Sequence, residues 1–203
     1  MLRMCQLAKR NAENKTQPGR LRIVAGNWRS RLLEIADVPG LRPSGARIRE
    51  TVFNWLAPRI AGARCLDLFA GTGALGLEAL SRGAADCVFV EKSAKAAQTL
   101  RANIATLQAE NAVVHETSAA NFLRQGSAAT FEIVFLDPPF AADMLPEMCR
   151  LLEESSILVD NARIYLEEDR SQPELKLPEP WQVLKTKNSG NVRYSLLDTG
   201  SQT

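Results

Sequence analysis

The chain has 203 residues, 45% hydrophobic and 24% charged, with a formal net charge of +2. That is an ordinary composition for one soluble domain with a sizeable core. No apolar run approaches membrane-spanning length, and Met1 to Gly19 is polar and basic without the apolar centre of a signal peptide, so neither a transmembrane helix nor a secretory leader is expected.

Met1 to Gly19 has no apolar period and ends in Pro18-Gly19, so residues 1–19 read as a loosely attached basic tail. Arg20 to Ile35 reads as a β-hairpin: Leu21-Arg22-Ile23-Val24 alternates, Gly26-Asn27 turns, and Arg31 to Ile35 returns. A hairpin by itself is marginal in water and must lean on another element. Ala46 to Leu56 follows as a helix with Ile48, Val52, Phe53 and Leu56 on its inner face. The charge is uneven: residues 1–59 hold 12 Lys+Arg against 4 Asp+Glu, and the remainder is mildly acidic. A basic front end, residues 20–59, with Trp28 among arginines suits a polyanion such as RNA.

From Arg64 onward strands and helices alternate. Expected strands are Cys65 to Phe69, Cys87 to Val90, Ala112 to His115, Phe131 to Leu136 and Ala162 to Glu167. Helices are expected from Ala74 to Arg82, Ser93 to Gln108, Ser118 to Gln125 and Leu145 to Glu154, and a closing hairpin turns at Asn188-Ser189-Gly190. The pattern predicts an α/β domain over residues 60–203. Its sheet is mainly parallel and seven-stranded, with helices on both faces and a C-terminal antiparallel hairpin at one edge. The four cysteines have no C-x-x-C spacing and suit buried reduced thiols in a cytosolic protein; no metal site is expected, and His115 receives no catalytic role.

Ligands of such sheets sit beyond the carboxyl ends of the strands. The first strand ends in Asp67-Leu68-Phe69-Ala70-Gly71-Thr72-Gly73, a tight turn into a helix. Gly71, Gly73 and Gly76 spell G-x-G-x-x-G, which by itself also fits a dinucleotide. Asp67, however, would oppose a pyrophosphate and suits a cationic ligand, which favours S-adenosylmethionine over NAD. Glu91 ends the second strand, where a carboxylate can accept both hydroxyls of a ribose. Asp137-Pro138-Pro139-Phe140 follows the strand expected at the centre of the sheet. Two prolines stiffen the backbone and remove two N–H donors, leaving the Asp137 carboxyl and the Pro138 carbonyl as acceptors beside the Phe140 ring. Acceptors next to a flat apolar face suit an exocyclic amine on a nucleobase.

These residues resemble the class I S-adenosylmethionine-dependent methyltransferases, a Rossmann-like fold, that modify exocyclic amines. Arg22 to Arg29, Gly40-Leu41-Arg42-Pro43 and Arg47 to Leu56, together with Cys65 to Arg82 and the Asp-Pro-Pro-Phe stretch, are similar to the RsmD family over about residues 20–197. The resemblance implies a cytoplasmic bacterial enzyme that methylates the N(2) amine of one guanine in 16S ribosomal RNA, acting as a monomer on the assembled or assembling small ribosomal subunit. It implies that Asp67, Phe69, Gly71 and Gly73 hold the donor, Glu91 its ribose, and Asp137, Pro138, Pro139 and Phe140 the target amine. Many relatives in the wider class place an acid after the third strand for the adenine amine; here Ser118 stands in its place. Arg29, Arg31, Arg42, Arg47 and Arg49 are the expected RNA contacts. The same chemistry on adenine in DNA or on glutamine in a protein, and a non-catalytic RNA-binding module, are the competing readings.

Overall fold

A computed structural model describes residues 19–41, 43–139 and 144–201 of the chain. The expected basic tail up to residue 18, Arg42 and Phe140 lie outside the described residues.

The element order is β1 (Arg20–Arg22), β2 (Leu32–Glu34), α1 (Ala46–Leu56), β3 (Arg64–Asp67), α2 (Ala74–Ser81), β4 (Asp86–Val90), α3 (Ala94–Leu107), β5 (Ala112–His115), α4 (Ala119–Gln125), β6 (Phe131–Leu136), α5 (Leu145–Glu154), β7 (Leu158–Asp169), β8 (Gln182–Ser189) and β9 (Val192–Asp198). Seven strands form one sheet in the order β5-β4-β3-β6-β7-β9-β8. The first five are parallel, and β9 and β8 close one edge as an antiparallel hairpin. β6 lies in the middle with all but Glu132 buried, as its nearly continuous apolar sequence requires.

One difference from the sequence reading has a local cause. β7 begins at Leu158, four residues before the expected Ala162. Its pairing with β6 shifts register between Phe131 and Ile133, and Asn161 adopts φ 55°, so an irregular stretch that reads as loop continues the strand. The basic front end packs against the sheet and its helices. Ile48, Val52, Phe53 and Leu56 of α1 and Leu21, Ile23 and Leu33 of the hairpin share one apolar cluster with Cys65, Leu77, Phe89 and Phe135. Each such fully buried side chain contributes roughly 1.5–3 kcal/mol. The hairpin leans on α2, where Asn27 N–H donates to the Ser81 carbonyl at 2.7 Å and Trp28 N–H to Ser81 Oγ at 3.0 Å. It also leans on α3, where Asn103 exchanges two hydrogen bonds with the Glu34 backbone.

A buried acid fixes this contact. Glu78 is fully enclosed in α2. Its Oε2 accepts from Val24 N–H at 2.8 Å and Arg49 Nη1 at 3.0 Å, and its Oε1 from Ala25 N–H at 3.0 Å and Arg82 Nε at 2.9 Å. Arg49 is expected on RNA from the sequence, and the structure corrects this. It is 1% exposed, with Nε on the Ser44 carbonyl and Nη2 on the Arg22 carbonyl. A guanidinium spent on three internal acceptors cannot reach a phosphate.

Candidate active site

The carboxyl ends of β3, β4, β6 and β7 open on one cavity of about 650 Å³, within the usual size of small-molecule sites. The loop before α1 forms its other wall through Val38 to Leu41, Pro43, Ser44 and Gly45. Asp67, Phe69, Gly71, Glu91, Ser118, Asp137, Pro138 and Pro139 all line it. Pro138, Pro139 and Met144 also line a second cavity of about 450 Å³, so the diproline corner stands between two spaces.

The glycine turn is held from below. Gly73 has φ 83° and is the N-cap of α2, a conformation that only glycine takes without strain, but it has no side chain to cap the helix. Asp67 supplies the missing acceptor, its Oδ2 taking the Gly76 N–H at 3.0 Å. Gly76 packs rather than binds: a Cβ there would lie 2.2 Å from Phe89 Cε1 on β4. Glu91 braces the turn from β4, accepting Gly71 N–H at 2.8 Å on Oε2 and Ser93 N–H at 2.7 Å on Oε1. Ser118 caps α4 by accepting the Asn121 N–H at 3.2 Å, which leaves its hydroxyl proton to donate elsewhere.

Charge defines what the cavity can take. Its ionisable lining residues are Asp67, Glu91, Asp137, Glu167 and the exposed Lys92. Burial, with a smaller contribution from the Glu91 charge, pushes the Asp67 carboxyl up to about 7 against the opposing Gly76 hydrogen bond. Asp137 is held well above the usual carboxylate range, first by burial and then by the Glu167 charge. Glu167 is raised by burial, against hydrogen bonds from Ser44 and Tyr165. Four carboxyl groups against one exposed lysine make the cavity a poor site for a pyrophosphate and a fitting one for a cation, whose arrival favours their ionised forms.

Ser44 and Glu167 are not among the residues the sequence singles out. Glu167 ends the expected fifth strand, so the strand-end rule that selects Glu91 also selects it. Ser44 has no comparable signal, because only the folded loop brings it to Asp137. Leu41 is equally silent in the sequence, yet its Cδ1 would lie 2.8 Å from a Cβ built on Gly71. Arg29, Arg31 and Arg47 are exposed but do not line the cavity.

The family model described as "Conserved hypothetical protein 95" matches residues 21–198. "Ribosomal RNA small subunit methyltransferase D" of Escherichia coli (strain K12) is 46% identical over 93% of this chain and 95% of that protein. The chain belongs to the RsmD family. The Haemophilus influenzae member of the same name is 45% identical over 88% of this chain and 93% of that protein. The solved structure of yhhF from Escherichia coli superposes with a TM-score of 0.84 at 43% identity, covering 91% of this chain and 100% of that one. The RsmD family match spans both the front end and the sheet, consistent with their single shared core.

Proposed function

We propose that this RsmD-family chain transfers a methyl group from S-adenosylmethionine to the exocyclic N(2) amine of a guanine in 16S ribosomal RNA. The observation that carries the reading is the acidic cavity running from the glycine turn to the Asp137-Pro138-Pro139 corner. When bound, the donor supplies an electrophilic methyl on a sulfonium sulfur. Its cationic groups suit the Asp67 end, and its ribose hydroxyls suit Glu91, whose oxygens retain accepting capacity beyond the two N–H groups they already hold. Ser118 has a hydroxyl proton to offer the adenine ring.

The amine's side of the reaction belongs to the corner. An exocyclic amine is a poor nucleophile because its lone pair is spread into the ring. Asp137 and the Pro138 carbonyl grip its hydrogens and turn the lone pair toward the methyl, and Phe140 stacks on the base. Holding two reactants aligned is worth up to roughly 7–11 kcal/mol, so positioning can supply most of the acceleration. The diproline corner separates two cavities, and the donor occupies the larger while the base enters from the other side. The base must leave its stack, which costs a few kcal/mol and least in a loop. Arg29, Arg31 and Arg47 contact phosphates outside the cavity. Arg42, outside the described residues, joins them. A cytoplasmic monomer acting on the small subunit, assembled or assembling, completes the reading.

The test is transfer of labelled methyl to naked 16S RNA and to small subunits, with DNA and protein as controls. Label on N(2) of a guanine with wild type, and labelling slower by roughly 10²–10³-fold with Asp137→Ala, is the expected result. Label on DNA or glutamine overturns the substrate, and tight RNA binding without transfer overturns the activity.

A further inference from the structure

Behind the diproline corner, four side chains form a continuous chain of oxygens. Ser44 Oγ lies 2.9 Å from Asp137 Oδ2 and 2.5 Å from Glu167 Oε1, and the Tyr165 hydroxyl lies 2.6 Å from the same Glu167 oxygen. A serine hydroxyl has one proton and donates once. Both of its contacts are hydrogen bonds only if one of the two carboxyls is itself protonated and donates to Ser44. The distances say which. Glu167 Oε1 gathers two hydroxyls at 2.5 and 2.6 Å, the arrangement that stabilises an anion, whereas Asp137 makes the longer contact. Asp137 therefore holds the proton and donates it to Ser44, while Ser44 and Tyr165 donate to the Glu167 carboxylate.

The ionisable groups facing the pair are Asp67 from β3, Tyr165 beside Glu167 on β7, and Tyr194, the β9 residue paired with Glu167. On the α1 side stands Arg49, whose Nε holds the Ser44 carbonyl at 3.1 Å while its Nη1 is committed to Glu78. Asp137 is half-buried and lines the cavity. Ser44 and Glu167 are buried.

We propose that the proton released by the methylated amine leaves through Asp137 and Ser44 and comes to rest on Glu167. This rests on the amine-methyltransferase reading above. As the nitrogen lone pair forms the N–C bond, the electrons of the broken S–C bond stay on sulfur, and the nitrogen sheds one proton. That proton goes to Asp137 Oδ1. The proton on Asp137 Oδ2 passes to Ser44 Oγ, and the Ser44 proton passes to Glu167 Oε1. Asp137 and Ser44 are neutral before and after, and only Glu167 changes charge. Asp137 meets the amine as a neutral acid whose carbonyl oxygen accepts a hydrogen. Glu167 acts through it as a positioning residue for the proton. After product release the Oδ1 proton of Asp137 is lost to water and the two relay protons step back, Glu167 to Ser44 and Ser44 to Asp137 Oδ2, which resets the chain.

The experiment has two readouts. Single-turnover transfer is measured against pH for wild type, Glu167→Gln, Ser44→Ala and Ser44→Thr. Carboxyl-carbon NMR titration of the donor-free protein is assigned with Asp137→Asn and Glu167→Gln. Wild type should lose rate as pH falls through the raised range of Glu167. Glu167→Gln and Ser44→Ala should be slower by roughly 10²-fold and lack that acid limb, with Ser44→Thr retaining both rate and limb. The titration should find Asp137 protonated at neutral pH and ionising after Glu167. Glu167→Gln at full rate with its acid limb moved to lower pH would make Asp137 the final acceptor and overturn the relay. A slower Glu167→Gln that keeps the acid limb would leave Glu167 a packing role only and overturn the relay as well. Asp137 ionised at neutral pH in the titration overturns the proposal without any turnover. Absence of transfer by wild type to any RNA would instead remove the parent reading.

Discussion

Two acidic centres lie on either side of Ser44, with Glu78 and Glu167 buried and Asp137 half-buried, and they are compensated in opposite ways. Glu78 is met by two guanidinium groups and two backbone N–H groups. Asp137 and Glu167 are met by hydroxyls. A buried carboxylate matched by cations and fully hydrogen-bonded is a structural clamp. One matched only by neutral donors keeps its desolvation cost as a raised proton affinity, which is what a reaction that releases a proton can use. Arg49 links the two centres, with one edge on Glu78 and Nε on the carbonyl of Ser44. The front end thus reaches the Asp137 corner through the clamp, besides presenting arginines outward.

The sharpest way to break this contrast is Glu78→Ala. It strands Arg49 in the interior and should cost about 3–5 kcal/mol, read as a lower urea midpoint. Asp137→Ala should show the reverse signature: transfer falls by roughly 10²–10³-fold while the melting temperature changes little, since the half-buried carboxyl meets a serine hydroxyl and no cation.

Asp67 sharpens the comparison because it belongs to both classes, capping α2 and facing the cavity. Its folded value of about 7 lies above its ordinary one of 3.8, so the folded state disfavours its ionised form. The resulting penalty is absent at low pH, grows as pH rises from about 4 and is complete above about 7. Asp67→Asn should therefore stabilise the fold by roughly 1–3 kcal/mol above neutrality and by nothing below about pH 4. The same substitution should weaken donor binding in calorimetry. In wild type that binding should strengthen as pH rises through about 7, because a cationic donor favours the ionised acid. The smallest effect is expected at the surface. Arg29→Ala or Arg47→Ala should leave donor affinity unchanged and lower the slope of log affinity for RNA against log salt by about 0.7–0.9 per lost phosphate contact.

The strand and helix alternation is legible because apolar periodicity is local: α1, β5, β6 and α5 have the expected bounds. Asp67, Glu91 and Asp137 are legible because strand ends in a parallel sheet converge on one edge. Arg49 misleads because charge in a sequence carries no sign of its depth. In a helix it looks like Arg47, two residues away, and only the Glu78 opposite makes its burial tolerable. A Glu within the apolar run Ala74 to Ser81 is the available warning.

The sequence by itself determined the sheet, the glycine turn and the acceptor corner, since each depends on neighbours within a few residues and on regular strand geometry. The tertiary structure alone decided which acids meet guanidinium groups and which meet only hydroxyls. That choice rests on partners far apart in the chain, Ser44 with Asp137 and Glu167, and Arg49 with Glu78, which no local pattern brings together.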